Sequence, residues 1–394
     1  MSRVAKLRHD RRAGVVLAVA FVVAAALMPL FRPPLDGFTN DAILALAYVV
    51  MALGLNLVVG FAGLLDLGYV AFYAIGASVT GWWASDFYSS VNGEKGIHIG
   101  TSDFVSVLPG IHVNFLLLIV GAIILCAIAG ALIGLPTLRL HGDYIAIVTL
   151  AFGEIIGRVF ANGDELTVFG DNALSNGRQS ISPIDQINLP VFGEFDSATD
   201  LRPYYWAVLA LCLVVLFVNF RLRDSRLGRA WIALREDEVA AASMGVPLVK
   251  TKLLSYAAGG AFGGISGVFI GIFLTSVNAN AFQFGFSIFI LAMVILGGLG
   301  SIWGVVLGAL SLGFVNHWFI PDVLDGETVR GWLDSLGLEF TFSEVTFGVF
   351  GFILVLMMVL RPEGLLPERR HQLELAEAAG APEEPVSVTY EARA

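Results

Sequence analysis

Charge is scarce in this chain: 14% of its 394 residues are Asp, Glu, Lys or Arg, against roughly 25% in an average soluble domain. With 57% hydrophobic residues, that deficit excludes a soluble enzyme. The net charge of −10 then carries no argument about nucleic acid, and no nucleic-acid partner is expected. Cysteine is nearly missing too. Cys126 and Cys212 are the only two, each inside an apolar run, and they read as small packing residues rather than as a disulfide framework or a metal site. Catalytic and nucleotide motifs are also lacking. No Gly-Lys pair occurs, which excludes a G-x-x-x-x-G-K-[ST] phosphate loop. H-E-x-x-H and G-x-S-x-G are absent, and the six histidines show no ligand spacing. Neither an enzyme nor a bound cofactor or metal is expected.

What is present is oil. Apolar runs of about 18 or more residues are candidate membrane helices. Here such runs, some short or broken by glycine, fall at 14–31, 41–60, 64–84, 113–135, 143–161, 203–220, 253–275, 284–299, 300–320 and 345–360. The fold class expected is all-α, a polytopic membrane bundle of about ten spans. Residues 1–13 read as a basic cytoplasmic N-terminus, 14–367 as the membrane domain and 368–394, rich in Glu, Ala and Pro, as a disordered cytoplasmic tail. The basic stretch before the first run resembles a signal peptide, but the run is long and ends in MPLFRPP without a small-residue cleavage site, so it reads as a retained helix.

Orientation follows from Lys and Arg. With the N-terminus inside, the inner loops hold Arg139, Arg221, Arg223, Arg226, Arg229, Arg235, Lys250 and Lys252, followed by Arg361, Arg369 and Arg370. The outer loops hold Arg32, Lys95, Arg178, Arg202 and Arg330. The excess inside predicts both termini in the cytoplasm.

One long cytoplasmic loop results, residues 221–252. Leu227, Trp231, Leu234, Ala241 and Ala242 recur at helical spacing in it, so a charged helix with one apolar stripe is predicted. Gly245 can end it and Pro247 cannot continue it. Such a helix can lie on lipid headgroups or dock a protein. The acidic run Glu236-Asp237-Glu238 favours docking, because an anionic membrane surface repels it.

Ionisable residues inside spans are functional candidates, since they face a bundle interior or a water-filled cavity. Asp143 is a candidate N-cap for the fifth span. Glu154 lies about 16 Å deeper at helical rise, and Arg158 follows at i+4 on the same face. A structural ion pair and a path-lining role are both open for this pair. Asp66 is the other intramembrane acid. Transport sites also favour glycine-interrupted spans in both halves of a chain. The stretches 60–77 and 297–309 qualify, with Asp66, Tyr69, Phe72, Tyr73, Gly297, Gly298 and Gly300 as candidate path residues. Close helix packing explains most of the glycines equally well. His317 beside Asn316 reads as a helix-packing pair.

The segment WIALREDEVAAASMGVPLVKTKLLSYAAGGAFGGISG (231–267) closely resembles the cytoplasmic loop and following helix of branched-chain amino acid ABC importer permeases, the M-type (LivM-like) subunits. So do NLVVGFAGLLDLGYVAFYAIGA (56–77), LRLHGDYIAIVTLAFGEI (138–155), ILGGLGSIWGVVLGA (295–309) and RPEGLL (361–366). The resemblance covers about 41–367. It implies a coupling helix docked in a groove of an ATP-binding cassette ATPase, carried here by Trp231, Leu234, Arg235, Glu236, Asp237, Glu238 and Gly245. It also implies a homologous H-type permease as heterodimer partner, two ATPase subunits, an extracytoplasmic substrate-binding protein and a bacterial inner membrane. The implied cargo is a branched-chain or other hydrophobic amino acid. Urea and short amides are carried by similar permeases, and a self-contained secondary transporter using Asp66, Glu154 and Arg158 is the alternative from another class.

Three departures stand out. The importer loop pattern Glu-Ala-Ala-x-x-x-Gly is offset here, with Glu238 seven residues before Gly245. The family's Ser-Leu-Gly-His is replaced by Asp66-Leu67-Gly68-Tyr69. The outer loop 166–185 lacks the glycine pair of Thr-Gly-Gly-x-x-Gly-Ile; its acids, with Asp164, Glu165, Asp171 and Asp185, could meet a basic binding protein.

Overall fold

Inside hydrocarbon every backbone N–H and C=O must be satisfied within its own segment, so apolar runs of this length have helix as their solution. The computed structural model describes residues 22–366 except 94, 102–104, 139, 141, 168–171, 190–192, 327–345 and 362–363. The basic N-terminus, Arg139, Asp171, Arg330 and the tail at 368–394 lie outside the described residues.

Among the described residues, six helices are long and apolar enough to cross a membrane, and shorter apolar helices join them. In chain order these and the remaining helices are α1 (Val22–Phe31), α2 (Gly37–Phe61), α3 (Val70–Trp83), α4 (Phe115–Thr137), α5 (Asp143–Ala161) and α6 (Arg202–Arg223). There follow α7 (Arg226–Glu236), α8 (Glu238–Ser243), α9 (Leu248–Phe273), α10 (Phe284–Gly297), α11 (Ile302–Pro321) and α12 (Thr346–Leu360). The chain is a polytopic helical membrane protein.

The connections fall on two sides of the bundle. The end of α2, the 224–247 loop, the turn 298–301 and residues 364–366 touch one another on one side: Arg235 reaches Gly60, Asn56 reaches Gly300, and Leu365 N–H donates to the Leu296 carbonyl. On the other side lie 32–36, 84–113, 162–201 and 274–283, joined by Leu201 to Pro34, Asp185 to Ala84 and Ile181 to Val277. There 84–113 forms a three-stranded sheet, which the apolar pattern did not foretell. Its order is β1 (Ala84–Ser85), β3 (Ile111–Val113), β2 (Ile97–Ile99).

α2 and α9 form the centre, with 89% and 83% of their apolar windows buried against 28% for α4 and α5. Hydrophobic attraction between helices is weak in lipid, so small residues that admit close approach do the packing. A methyl group on Gly259 would strike Val58 of α2, one on Gly264 would strike Cys126 of α4, and one on Gly267 would strike the Tyr73 carbonyl of α3. Most glycines of α9 are therefore packing residues.

The third span differs from expectation. Helix was expected from residue 64, but α3 begins at Val70 and residues 62–69 form an irregular segment. α2 widens into a π-helical turn over Leu57–Phe61 before it stops. Gly63 then takes φ +68°, a left-handed conformation open to glycine and strained for other residues.

Candidate functional site

The charged loop is two helices, not the single one predicted. The break is Asp237, at φ −156° and ψ 114°. Its carboxylate caps α8, accepting from Val239 N–H at 2.8 Å and Ala240 N–H at 2.9 Å. The short side chain satisfies two amides that the first turn of a helix leaves open. Gly245 at φ +84° ends the segment, and Pro247 precedes α9.

Three residues of the apolar stripe are turned inward, while Leu227 and Ala242 are exposed. Trp231 is fully buried, and its indole N–H donates to the Thr251 carbonyl at 2.9 Å. Leu234 and Ala241 are buried beside it. Arg235 donates to the Gly60 carbonyl at 2.7 Å, and its side chain lies on Gly63, where a methyl would approach its Cγ to 2.7 Å. Glu238 binds the Lys252 ammonium at 2.6 Å, with the lysine buried near the start of α9. Asp237 and Glu238 are thus engaged within the chain. The outward face carries apolar residues beside the charged ones: Val239, Met244 and Val249 are exposed by 75%, 86% and 56%, and Glu236, Asp237 and Lys250 are exposed with them. Sequence reasoning counted Lys252 only as a loop charge; its place in a run that turns apolar at Leu253 was the available signal.

The loop also reaches both interrupted segments. Arg235 holds the π-turn of α2 at Gly60, while Asn56 in α2 accepts from Gly300 N–H at 2.9 Å. Asn56, buried and overlooked from sequence, is one polar residue in an otherwise apolar stretch of α2. Gly298 and Gly300 take φ +113° and +81° and make the turn between α10 and α11. Gly297 serves packing, since a methyl there would strike the Gly304 carbonyl.

Asp66 is buried, with one carboxylate oxygen accepting from Gly68 N–H at 2.9 Å. Its segment is pinned from three helices. Leu67 N–H donates to Thr149 Oγ1 of α5, Tyr69 O–H donates to the Gly259 carbonyl of α9, and Val70 N–H donates to Ser287 Oγ of α10. Tyr69, Phe72 and Tyr73 are buried in this packing.

On α5 the N-cap is Gly142 rather than Asp143, because that position takes φ +59°. Glu154 and Arg158 do pair, Oε2 to Nε at 3.7 Å, but their side chains are 41% and 81% exposed. They line a cavity of about 510 Å³ with Arg178, Asn280, Phe282 and Gln283. His317 contacts Tyr48 Oη at 3.1 Å and Asn316 Nδ2 at 3.3 Å, as a packing pair does. Among the described residues no group of three or more His, Cys, Asp or Glu could hold a metal.

On the side away from α7, His112 is buried in β3. Its Nδ1 meets Asp185 Oδ2 at 2.7 Å and its Nε2 meets Asp86 Oδ1 at 3.2 Å. Burial by itself lowers the imidazole pKa, but the Asp185 bond, the Pro109 carbonyl and the charges of Asp185 and Asp86 together raise it above 6.5.

Comparison with known proteins adds an independent line. Residues 38–359 match a family model described as the permease component of branched-chain amino acid transport systems. The high-affinity branched-chain amino acid transport system permease protein LivM of Escherichia coli strain K12 is 35% identical over 378 residues, 93% of this chain and 78% of that one. LivM of Salmonella typhimurium strain LT2 is 36% identical over 351 residues, 86% of this chain and 72% of that one. LivH of the same Salmonella strain is 24% identical over 335 residues, 83% of this chain and 93% of that one. No solved structure matches.

Proposed function

The chain belongs to the family of permease components of branched-chain amino acid transport systems, and from that premise we propose that it is one half of an ABC importer's path for branched-chain or similar hydrophobic amino acids. The side bearing α7 and α8 is cytoplasmic, in keeping with the excess of Lys and Arg there. The membrane is the bacterial inner membrane, and the opposite side receives an extracytoplasmic binding protein. Likeness to both LivM and LivH supports a homologous H-type permease as the second half, and the missing phosphate loop is in keeping with ATP hydrolysis by separate ATPase subunits.

The observation that carries this reading is the arrangement of the 224–247 loop. A coupling element must be rigid, tied to the moving helices and open to its partner. Trp231, Arg235 and Glu238 tie the loop to α2 and α9, while Val239 and Met244 stay outward. The ATPase groove therefore grips an apolar knob, and the acidic residues shape and anchor it. Through Arg235, Gly60 and Asn56 the loop contacts both segments where the spans are interrupted, so a pull on it reaches 62–69 and 298–301 together. Asp66, Tyr69, Phe72 and Tyr73 then set the packing of a segment that rearranges when the path opens.

The test is co-purification in mild detergent. Met244→Asp or Val239→Asp, which leave every internal tie intact, should release the ATPase subunits while the two permeases stay together. Full retention of the ATPase by both variants removes this docking face.

A further inference from the structure

Glu154 and Arg158 raise a physical problem. They sit in the outer half of a membrane helix, yet the Arg158 side chain is largely open on the surface of this chain and that of Glu154 partly so. A charge facing hydrocarbon is costly, and such residues face protein or water instead. The helix bearing them is among the least buried of the bundle, so this face of α5 turns toward the partner permease and the water between the two halves.

The cavity at that face has a definite chemistry. Its walls hold one carboxylate, Glu154, and two guanidinium groups, Arg158 and Arg178. Asn280 and Gln283 add neutral donors and acceptors, and Phe282 with Phe284 gives it an apolar side. Asp164 lies against Gly177, the neighbour of Arg178, so the rim is of mixed charge rather than cationic. An ammonium is met by a carboxylate, and a carboxylate by the planar fork of arginine. Glu154 and Arg158 are 3.7 Å apart, a loose pair that a ligand carrying both charges can open. Gly157 packs against the Phe282 carbonyl, while Ala161 and Gly285 are further small residues of the lining.

We propose that this cavity is a transport subsite for an aliphatic α-amino acid in which Glu154 receives the ammonium and Arg158 with Arg178 the carboxylate, its open side being closed by the partner permease. The assignment rests on the importer reading and names the site at which that path recognises the invariant ends of its cargo. Cargo leaving a binding protein on the extracytoplasmic side meets these groups before the deeper segment 62–69.

The experiment is ATP-driven L-leucine uptake by the full complex in proteoliposomes with excess binding protein, for wild type, Glu154→Gln, Arg178→Gln and the swapped double variant Glu154→Arg/Arg158→Glu. Both single variants should co-elute with their partners and lose uptake by about tenfold or more, the worth of one charge-assisted hydrogen bond. The swap keeps an ion pair and so keeps assembly, but reverses the order of charges and does not restore uptake. Wild-type uptake in the single variants, or its recovery in the swap, overturns the subsite and leaves an ion-pair lock. Should Glu154→Gln fail to assemble, Arg178→Gln, exposed on its loop, decides alone. Absence of leucine uptake by the wild-type complex overturns the importer reading and this subsite together, and is recognised because it precedes any substitution.

Discussion

Glu238→Ala removes the carboxylate that lies 2.6 Å from the Lys252 ammonium. The lysine is 2% exposed and the glutamate 29%, so the ammonium loses its ion-pair partner where water reaches it poorly. Breaking a fully buried pair from one side costs about 3–5 kcal/mol. Partial exposure of Glu238 reduces this, and about 2 kcal/mol is expected for holding α8 on α9. That is roughly a 30-fold shift towards a detached α8. The double variant Glu238→Gln/Lys252→Met removes both charges and should recover most of the loss, because no unpaired ion remains. The assay is ATP hydrolysis and amino acid uptake measured on the same proteoliposomes. Glu238→Ala should lower uptake far more than hydrolysis, since ATPases gripping a detached helix turn over without moving the spans. A double variant no better than the single one would refute the anchoring argument.

Other expectations follow from the same geometry. Asp237→Ala deletes the two cap bonds of α8 and should cost about 1 kcal/mol, with Asp237→Asn nearly neutral; thermal unfolding of the purified complex separates them. Gly68→Ala sets a methyl against the Thr149 carbonyl, and overpacking of this kind costs about 1–3 kcal/mol; melting temperature and uptake should both fall, whereas Gly348→Ala, with nothing within 4 Å, should change neither. His112 titrates above 6.5 in the folded chain, so its link to Asp86 and Asp185 is fully present below the unfolded value of about 6.5 and is lost as pH rises through the folded value. Wild type should therefore lose more thermal stability than His112→Asn does between mildly acidic and alkaline pH, and parallel pH profiles would contradict the clamp.

The helices were legible because hydrocarbon leaves an apolar run little choice, and α2, α4 and α6 lie close to where hydropathy placed them. The pairing of Glu154 with Arg158 was legible from four-residue spacing alone. What escaped depends on residues distant in sequence. The acidic run looked like a docking surface, yet only the fold shows Asp237 serving amides two and three residues on while Glu238 meets a lysine on the next helix. Asn56 meets Gly300 across 244 positions, which no periodicity encodes. The strands at 84–113 are three residues or shorter, and pairing between them, not local propensity, sets them. The late start of the third span at Val70 comes from anchors on α5, α9 and α10, again out of reach of local pattern.

The central claim is that this chain moves amino acids only as part of an ATP-driven complex docked on the 224–247 loop. The most direct measurement is leucine uptake into proteoliposomes holding either this chain alone or the chain with its partner permease, ATPase subunits and binding protein. The account predicts uptake in the second preparation that needs ATP and disappears with Met244→Asp, and none in the first. Gradient-driven uptake by the chain alone would contradict it.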